Sequence, residues 1–305
     1  MVNQSLFVIK PIEVCRQQKG TSEKPVFSIL IVSWNNLEYL KLCVKSIKQN
    51  STYRHQILIH VNEGTDGTLE WVKENGFDYT HSTENIGICY AMNALTPLMN
   101  ADYVLLIDDD NYVAPNWDKV LMEEIGKLGH NYFAISSTRI EPCPYFYDIS
   151  SISSVEFGLT PDTFKEQDFL ANYMNHEVSD WSGSSWYPMV VHRDIWCLVG
   201  GLSVEFSPGM GSDPDFAMKL WLVGVRYFKG LSNSRAYHFG RRTTSRIKQN
   251  DDRRLFLNKW GMTISTFYKY FIHMGKPFVI ASDETTALKN AKYKLIRDRI
   301  KARFY

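Results

Sequence analysis

The triplet Asp108-Asp109-Asp110 stands directly after the apolar run DYVLLI (102–107). Adjacent carboxylates repel one another, so a fold that keeps three together needs a compensating charge. A hard divalent cation supplies it, because Mg²⁺ and Mn²⁺ take oxygen ligands and keep positions open for phosphate oxygens. A solvated acidic turn capping the next helix is the ordinary alternative. Position favours the metal, since in open α/β sheets ligands bind beyond the carboxyl ends of strands. Ser33-Trp34-Asn35 ends an earlier apolar run. A Trp there can stack on a nucleobase while Asn offers amide donors and acceptors; a core Trp followed by a helix cap fits equally well. In Asn62-Glu63-Gly64-Thr65-Asp66-Gly67-Thr68 the two glycines mark a tight loop, and Asn62 or Glu63 can meet a base or ribose edge. Plain loop and capping chemistry is the alternative.

The elements that must position these residues read clearly up to about residue 130. FSILIVS (27–33), QILIHV (56–61) and DYVLLI are short apolar runs rich in branched residues, as buried parallel strands are. DYTHS (78–82) fits a short strand. Leu37, Leu40, Val44 and Ile47 recur at helical spacing, with Asn35 or Asn36 as N-cap. GTDGTLEWVKENG (64–76) reads as a turn and helix, and ICYAMNALTPLM (88–99) and APNWDKVLMEEIGKLG (114–129) as helices. Strands alternating with helices through short connections predict a parallel α/β sheet with right-handed crossovers.

Beyond about residue 140 the alternation breaks. EPCPYFYDISSISS and WSGSSWYPMVVHR are rich in aromatics and serine, and SDPDFAMKLWLVGV is helical. This half reads as α+β additions. Tyr145-Phe146-Tyr147, Trp181, Trp186 and Tyr187 are either platforms for sugar rings or core packing. The final 19 residues hold seven Lys/Arg against one Asp, with Leu288, Leu295, Ile296, Ile300 and Phe304 roughly on one helical face. That stretch, 287–305, suits contact with an anionic membrane surface or a solvated helix on the domain.

A chain of 305 residues forms one large domain or two intimate ones. Lys+Arg 34 against Asp+Glu 33 leaves a net charge of +1, which argues against a nucleic-acid binder. The five cysteines are scattered without a CxxC pair, as in a reducing compartment and unlike a structural zinc site. Neither a secretory h-region nor an apolar run of membrane-spanning length is evident. A cytoplasmic protein, able to rest on a membrane surface, is expected.

SILIVSWNNLEYLKLCVKSI, VNEGTDGT, ENIGICYAMN and YVLLIDDDN, in that order and spacing, resemble the nucleotide-sugar half of a family 2 glycosyltransferase with a GT-A fold. The resemblance implies a Rossmann-like, mostly parallel central sheet with flanking helices, α+β acceptor-side additions and a C-terminal helical region. Residues 1–25, weakly patterned and polar after Cys15, read as an N-terminal arm, followed by a transferase domain (26–245, donor half 26–118, acceptor half 119–245) and a helical region (246–305). The resemblance places Ser33, Trp34, Asn35, Asn62, Glu63, Asn85, Gly87, Asn93, Asp108 and Asp109 about the nucleotide-sugar. The DXD motif falls on Asp108-x-Asp110, with Asp108 near the ribose and Asp110 on the metal. The base-reading loop departs from the family, being one residue shorter and carrying Asn62-Glu63. LVGGLSVEF and GSDPDFAMKLWLVGVRYF resemble the acceptor side, making Asp213 the catalytic base and Asp215 a second acid, with Ser212 where Glu is usual. His238 falls where many members carry a histidine close to the metal or diphosphate.

The expected activity is inverting transfer of a sugar from a UDP-, GDP- or dTDP-sugar to a hydroxyl of a glycan or lipid-linked acceptor, with Mn²⁺ or Mg²⁺ on the diphosphate. A sugar-phosphate nucleotidyltransferase and a non-catalytic carbohydrate-binding protein on the same fold are the rival readings. The first lacks its Gly-rich loop here; the second does not explain Asp108, Asp110, Asp213 and His238 together.

Overall fold

The computed structural model describes residues 11–17, 23–142, 152–175, 177–240 and 251–304. Tyr145-Phe146-Tyr147 therefore lie outside the described residues.

Among the described residues, β1 (Glu13–Cys15) comes first, then β2 (Phe27–Trp34), α1 (Leu37–Asn50), β3 (Gln56–Asn62), α2 (Thr68–Glu74), β4 (Asp78–Ser82), α3 (Gly87–Ala94) and β5 (Tyr103–Asp108). The expected strands and helices are all present, with shifted ends. The helix expected over 88–99 stops at Ala94 and continues as a 3₁₀ turn over Thr96–Leu98, where Pro97 has no N–H to give. Next come β6 (Asn111–Val113), α4 (Trp117–Gly126), β7 (Phe133–Glu141), β8 (Ile152–Ser154), α5 (Glu166–Asn172), β9 (Trp181–Ser182), β10 (Met189–His192), α6 (Arg193–Leu198), α7 (Ser212–Leu222) and β11 (Tyr227–His238). Three helices, α8 (Asp252–Trp260), α9 (Ile264–Tyr270) and α10 (Glu284–Ala302), follow.

The strands form one sheet in the order β1-β4-β3-β2-β5-β10-β7-β11-β6, with β8 on β7 and β9 on β11. β4, β3, β2 and β5 run parallel; β1 and β10 are antiparallel to their neighbours, and β11 is parallel to β7 but antiparallel to β6. Within the segment expected as an N-terminal arm, Glu13–Cys15 thus contributes an edge strand. From β2 the chain crosses one way to β3 and, later, the other way to β5, so the carboxyl ends of β2 and β5 border a topological switch point. That is where a crevice opens in such sheets.

One sheet face packs on α1 and α4 through Ile29, Ile31, Leu40, Val44, Ile107, Trp117 and Leu121. The other packs on α3, α6 and α7, and the same cluster continues into α8–α10 through Phe256, Phe267, Ala287 and Leu295. Trp181 is core: it is 2% exposed, its Nε1 donates to Thr138 Oγ1 at 3.0 Å, and its ring lies so close to Gly230 that a Cβ there would sit 1.8 Å from it. In α10 the expected single apolar face divides. Leu295 joins Ala287 and Ala291 inside, while Leu288, Ile296, Ile300 and Phe304 are exposed.

Candidate active site

β5 ends at Asp108, and Asp109-Asp110 form the turn into β6. β6 pairs with the end of β11 in the register Asn111↔His238, which brings a histidine distant in sequence beside the acidic turn. Asp108, Asp110 and His238 each offer a ligand atom, all within 4.8 Å of one another. His238 Nε2 lies 3.4 Å from Asp110 Oδ1, and its Nδ1 lies 2.7 Å from Glu141 Oε1 at the end of β7. Arg139, two residues earlier on the same strand face, donates from Nη2 to Asp108 Oδ2 at 3.0 Å and from Nε to the Tyr187 carbonyl.

Asp213 is the second residue of α7, whose N-cap is Gly211 in the left-handed conformation at φ 83°. Its carboxylate shares a cavity of about 310 Å³ with the acidic turn. The structure brings Trp34, Asn62, Asn85, Gly87, Asp108, Asp109, Asp110, Asp213 and His238 to the walls of this cavity. Sequence reasoning missed Arg139 and Glu141, while Tyr187, read as either a sugar platform or core packing, is buried and lines the cavity. A charged pair at i, i+2 on the otherwise neutral stretch FAISSTRIE was the available signal for Arg139 and Glu141, since buried charges rarely stand without a partner.

Ser33, Asn35, Glu63 and Asn93 are not among the wall residues. Ser33 is fully buried. Asn35 takes a positive φ of 46°, accepts from Thr65 N–H at 2.8 Å and donates to Glu63 Oε2 at 3.0 Å, so the two side chains knit the loops after β2 and β3. Asn93 donates to Leu202 O at 2.7 Å and accepts from Leu202 N–H at 2.8 Å, fastening the acceptor-side loop to α3. Asn85 Oδ1 accepts from Gly87 N–H at 2.9 Å. Gly87 (φ +77°) must be glycine, because a Cβ would stand 2.9 Å from Pro208 Cα in the loop that covers it. Asp215, read as a second acid, is fully buried and turned to the C-terminal helices, where Oδ1 meets Trp260 Nε1 at 2.9 Å and Lys259 Nζ at 2.8 Å. Arg241 and Arg242, which follow His238 in the sequence and suit either a diphosphate or a solvated turn, lie outside the described residues.

Burial and mutual repulsion set the electrostatics. Burial first, and Asp110 second, push Asp109 up to about 8; its Oδ1 accepts from Asn36 Nδ2 at 3.0 Å. Burial and the neighbouring Asp108 charge raise Asp213 to about 7, against the Arg139 guanidinium. Burial alone would depress His238, but Asp110 and Glu141 outweigh it and raise the imidazole to about 9. This is a site with excess negative charge and fixed geometry, the condition under which a cation binds and displaces a proton from its imidazole ligand. Two carboxylates and one imidazole within reach of each other could hold a metal ion.

The sequence model "Glycosyl transferase family 2" matches residues 28–185. The chain belongs to this glycosyltransferase family. It is 26% identical over 110 residues to the putative glycosyltransferase EpsH of Bacillus subtilis (strain 168), a match covering 34% of this chain and 31% of EpsH. Among solved structures, S. aureus TarS 1–349 with UDP is similar at a TM-score of 0.50 and 15% identity, over 70% of this chain and 60% of that fragment. Without UDP the same TarS fragment gives 0.54 and 13%, over 92% of this chain and 72% of that one. GalNAc-T7 with UDP, GalNAc and Mn²⁺ gives 0.52 and 14%, over 82% of this chain and 49% of that one. The α/β fold is thus of the GT-A glycosyltransferase type, while the chain spans only about a third of EpsH and three-fifths of the UDP-bound TarS fragment.

Proposed function

We propose that this protein transfers a sugar from a nucleoside-diphosphate sugar to a hydroxyl of a glycan or lipid-linked glycan, with inversion at the anomeric carbon. The observation that carries this reading is that Asp213 and the Asp108–Asp110–His238 cluster share one cavity. The cluster would hold Mn²⁺ or Mg²⁺ through Asp110 and His238, with Asp108 between metal and ribose. Such a cation supplies charge neutralisation for the departing diphosphate. Asp213, ionised, takes the proton from the acceptor hydroxyl as its oxygen bonds to the anomeric carbon and the bond to the diphosphate breaks. Arg139 holds Asp108 by its hydrogen bond and keeps a positive charge beside the carboxylates.

At the base end, Trp34 offers a stacking face and Asn62 a hydrogen-bonding edge. Asn62 Oδ1 already accepts from Ile86 N–H at 3.0 Å and Ser82 Oγ at 3.1 Å, so its Nδ2 is the group left to meet the base. Asn85 and Gly87 line the approach of the diphosphate. Asn35 and Glu63 support this end through the loops they knit, while Asn93 fastens the acceptor-side loop. The UDP in TarS and the UDP and Mn²⁺ in GalNAc-T7 make uridine diphosphate and Mn²⁺ the first pair to test.

We assign the donor half to 26–118, the acceptor half to 119–245 and the helical region to 246–305, the last sharing its core with α7. Four cysteines, Cys15, Cys43, Cys89 and Cys197, are free thiols, which supports a cytoplasmic site of action. The test is a product assay on the full chain with a panel of nucleotide-sugars. Nucleoside diphosphate release dependent on acceptor and Mn²⁺ supports the reading, and pyrophosphate release from a sugar phosphate and nucleoside triphosphate overturns it.

A further inference from the structure

The outer face of α10 is unlike the rest of the surface. Ala287, Ala291, Leu295 and Asp298 recur at helical spacing and are buried against α8 and α9. Asp298, the one acid between Leu288 and Phe304, points inward: Oδ2 accepts from Thr263 N–H and Oγ1, both at 3.0 Å, and from Thr266 Oγ1, and Oδ1 meets Lys294 at 3.1 Å. The outward face is therefore left without a single anion.

That face carries a ridge of large apolar side chains one helical turn apart: Tyr293 (81% exposed), Ile296 (48%), Ile300 (52%) and Phe304 (85%). By the 3.6-residue period, exposed Lys292, Arg299 and Arg303 run along one side of the ridge and Arg297 and Lys301 along the other. Water gives no reason to expose four such side chains in line. A ridge flanked by cations on both sides matches the boundary between headgroups and acyl chains, with the long cationic stems reaching back to the phosphates. Among the described residues no helix is long and apolar enough to cross a membrane, so the contact is with a surface.

We propose that α10 docks this protein in the plane of an anionic lipid surface, Tyr293, Ile296, Ile300 and Phe304 entering the interface and the flanking cations binding headgroup phosphates. The docking stands apart from the transfer chemistry, since none of these residues lines the cavity of Asp213.

The experiment is co-sedimentation of the full chain with vesicles of phosphatidylcholine alone and of phosphatidylcholine mixed with phosphatidylglycerol. Wild type should pellet with the mixed vesicles, lose binding in high salt, and stay in solution with phosphatidylcholine. Ile296→Ser/Ile300→Ser/Phe304→Ser and, separately, Arg297→Glu/Arg299→Glu/Arg303→Glu should each lower partitioning by about ten-fold or more, with an unchanged melting temperature. Equal binding to both vesicle types, no binding, or binding retained in both variants overturns the proposal. So does a dimer, seen by sedimentation equilibrium, that the serine variant dissociates, because the ridge then belongs to a second copy.

Discussion

Glu141 holds His238 by its Nδ1 at 2.7 Å and thereby turns the other ring nitrogen, Nε2, towards Asp110 at 3.4 Å. A carboxylate behind an imidazole fixes tautomer and ring orientation, and it raises the basicity of the nitrogen that faces the ligand. Replacing Glu141 by Gln keeps the shape and removes the charge. Mn²⁺ affinity, measured by calorimetry in the presence of UDP, should fall by ~10–100-fold. Unchanged affinity would remove Glu141 from the account.

Arg139 is largely buried, at 13% side-chain exposure, between Asp108 and Glu141. Arg139→Met strands Asp108, leaves Glu141 with His238 alone, and should lower unfolding free energy by about 3 kcal/mol, read from urea denaturation. Adding Mn²⁺ should restore part of that loss, since a bound cation replaces the missing positive charge.

Gly230→Ala tests the packing beneath the site. The new Cβ would stand 1.8 Å from the Trp181 ring, which is 2% exposed and has no room to retreat. Overpacking of this kind costs about 1–3 kcal/mol. A melting temperature equal to wild type would show that the ring moves more freely than its burial allows.

His60 supplies a pH-dependent term. Fully buried in β3 beside Thr80 and Ser82, it is pulled by burial from 6.5 to about 3. The folded chain therefore refuses a proton that the unfolded chain accepts. Stability is fully present above pH 6.5 and declines as pH falls towards 3, by at most about 1.4 kcal/mol per pH unit. Urea midpoints between pH 7 and pH 5 should fall more steeply in wild type than in His60→Gln.

The donor half was legible because its strands are buried on both faces and so read as unbroken apolar runs ending in polar clusters. β7 was not, because its buried apolar run Phe133-Ala134-Ile135 gives way to three equally buried polar residues, Ser136, Ser137 and Thr138. Their hydroxyls are satisfied at long range by Ser184 Oγ, Ser234 Oγ and Leu231 O, at 2.7, 2.7 and 2.8 Å. Polar residues with distant partners leave no periodic signal. The same limit hid Glu141 and Arg139, whose meaning lies in contacts with His238 and Asp108 that only the sheet creates. The place of Asp215 near Asp213 in sequence likewise says nothing of Lys259 and Trp260, the distant partners its buried carboxylate meets.

The central claim is that Asp213 removes the acceptor proton. Burial and Asp108 raise its carboxylic acid to about 7, so kcat/KM should rise with pH along a limb at or below that value, lower once a cation offsets Asp108. The most direct measurement is acceptor-dependent nucleoside diphosphate release by Asp213→Asn beside its nucleotide affinity in Mn²⁺. Loss of turnover by about 10²–10⁴-fold with nucleotide binding unchanged is the predicted result. Turnover equal to wild type would contradict it.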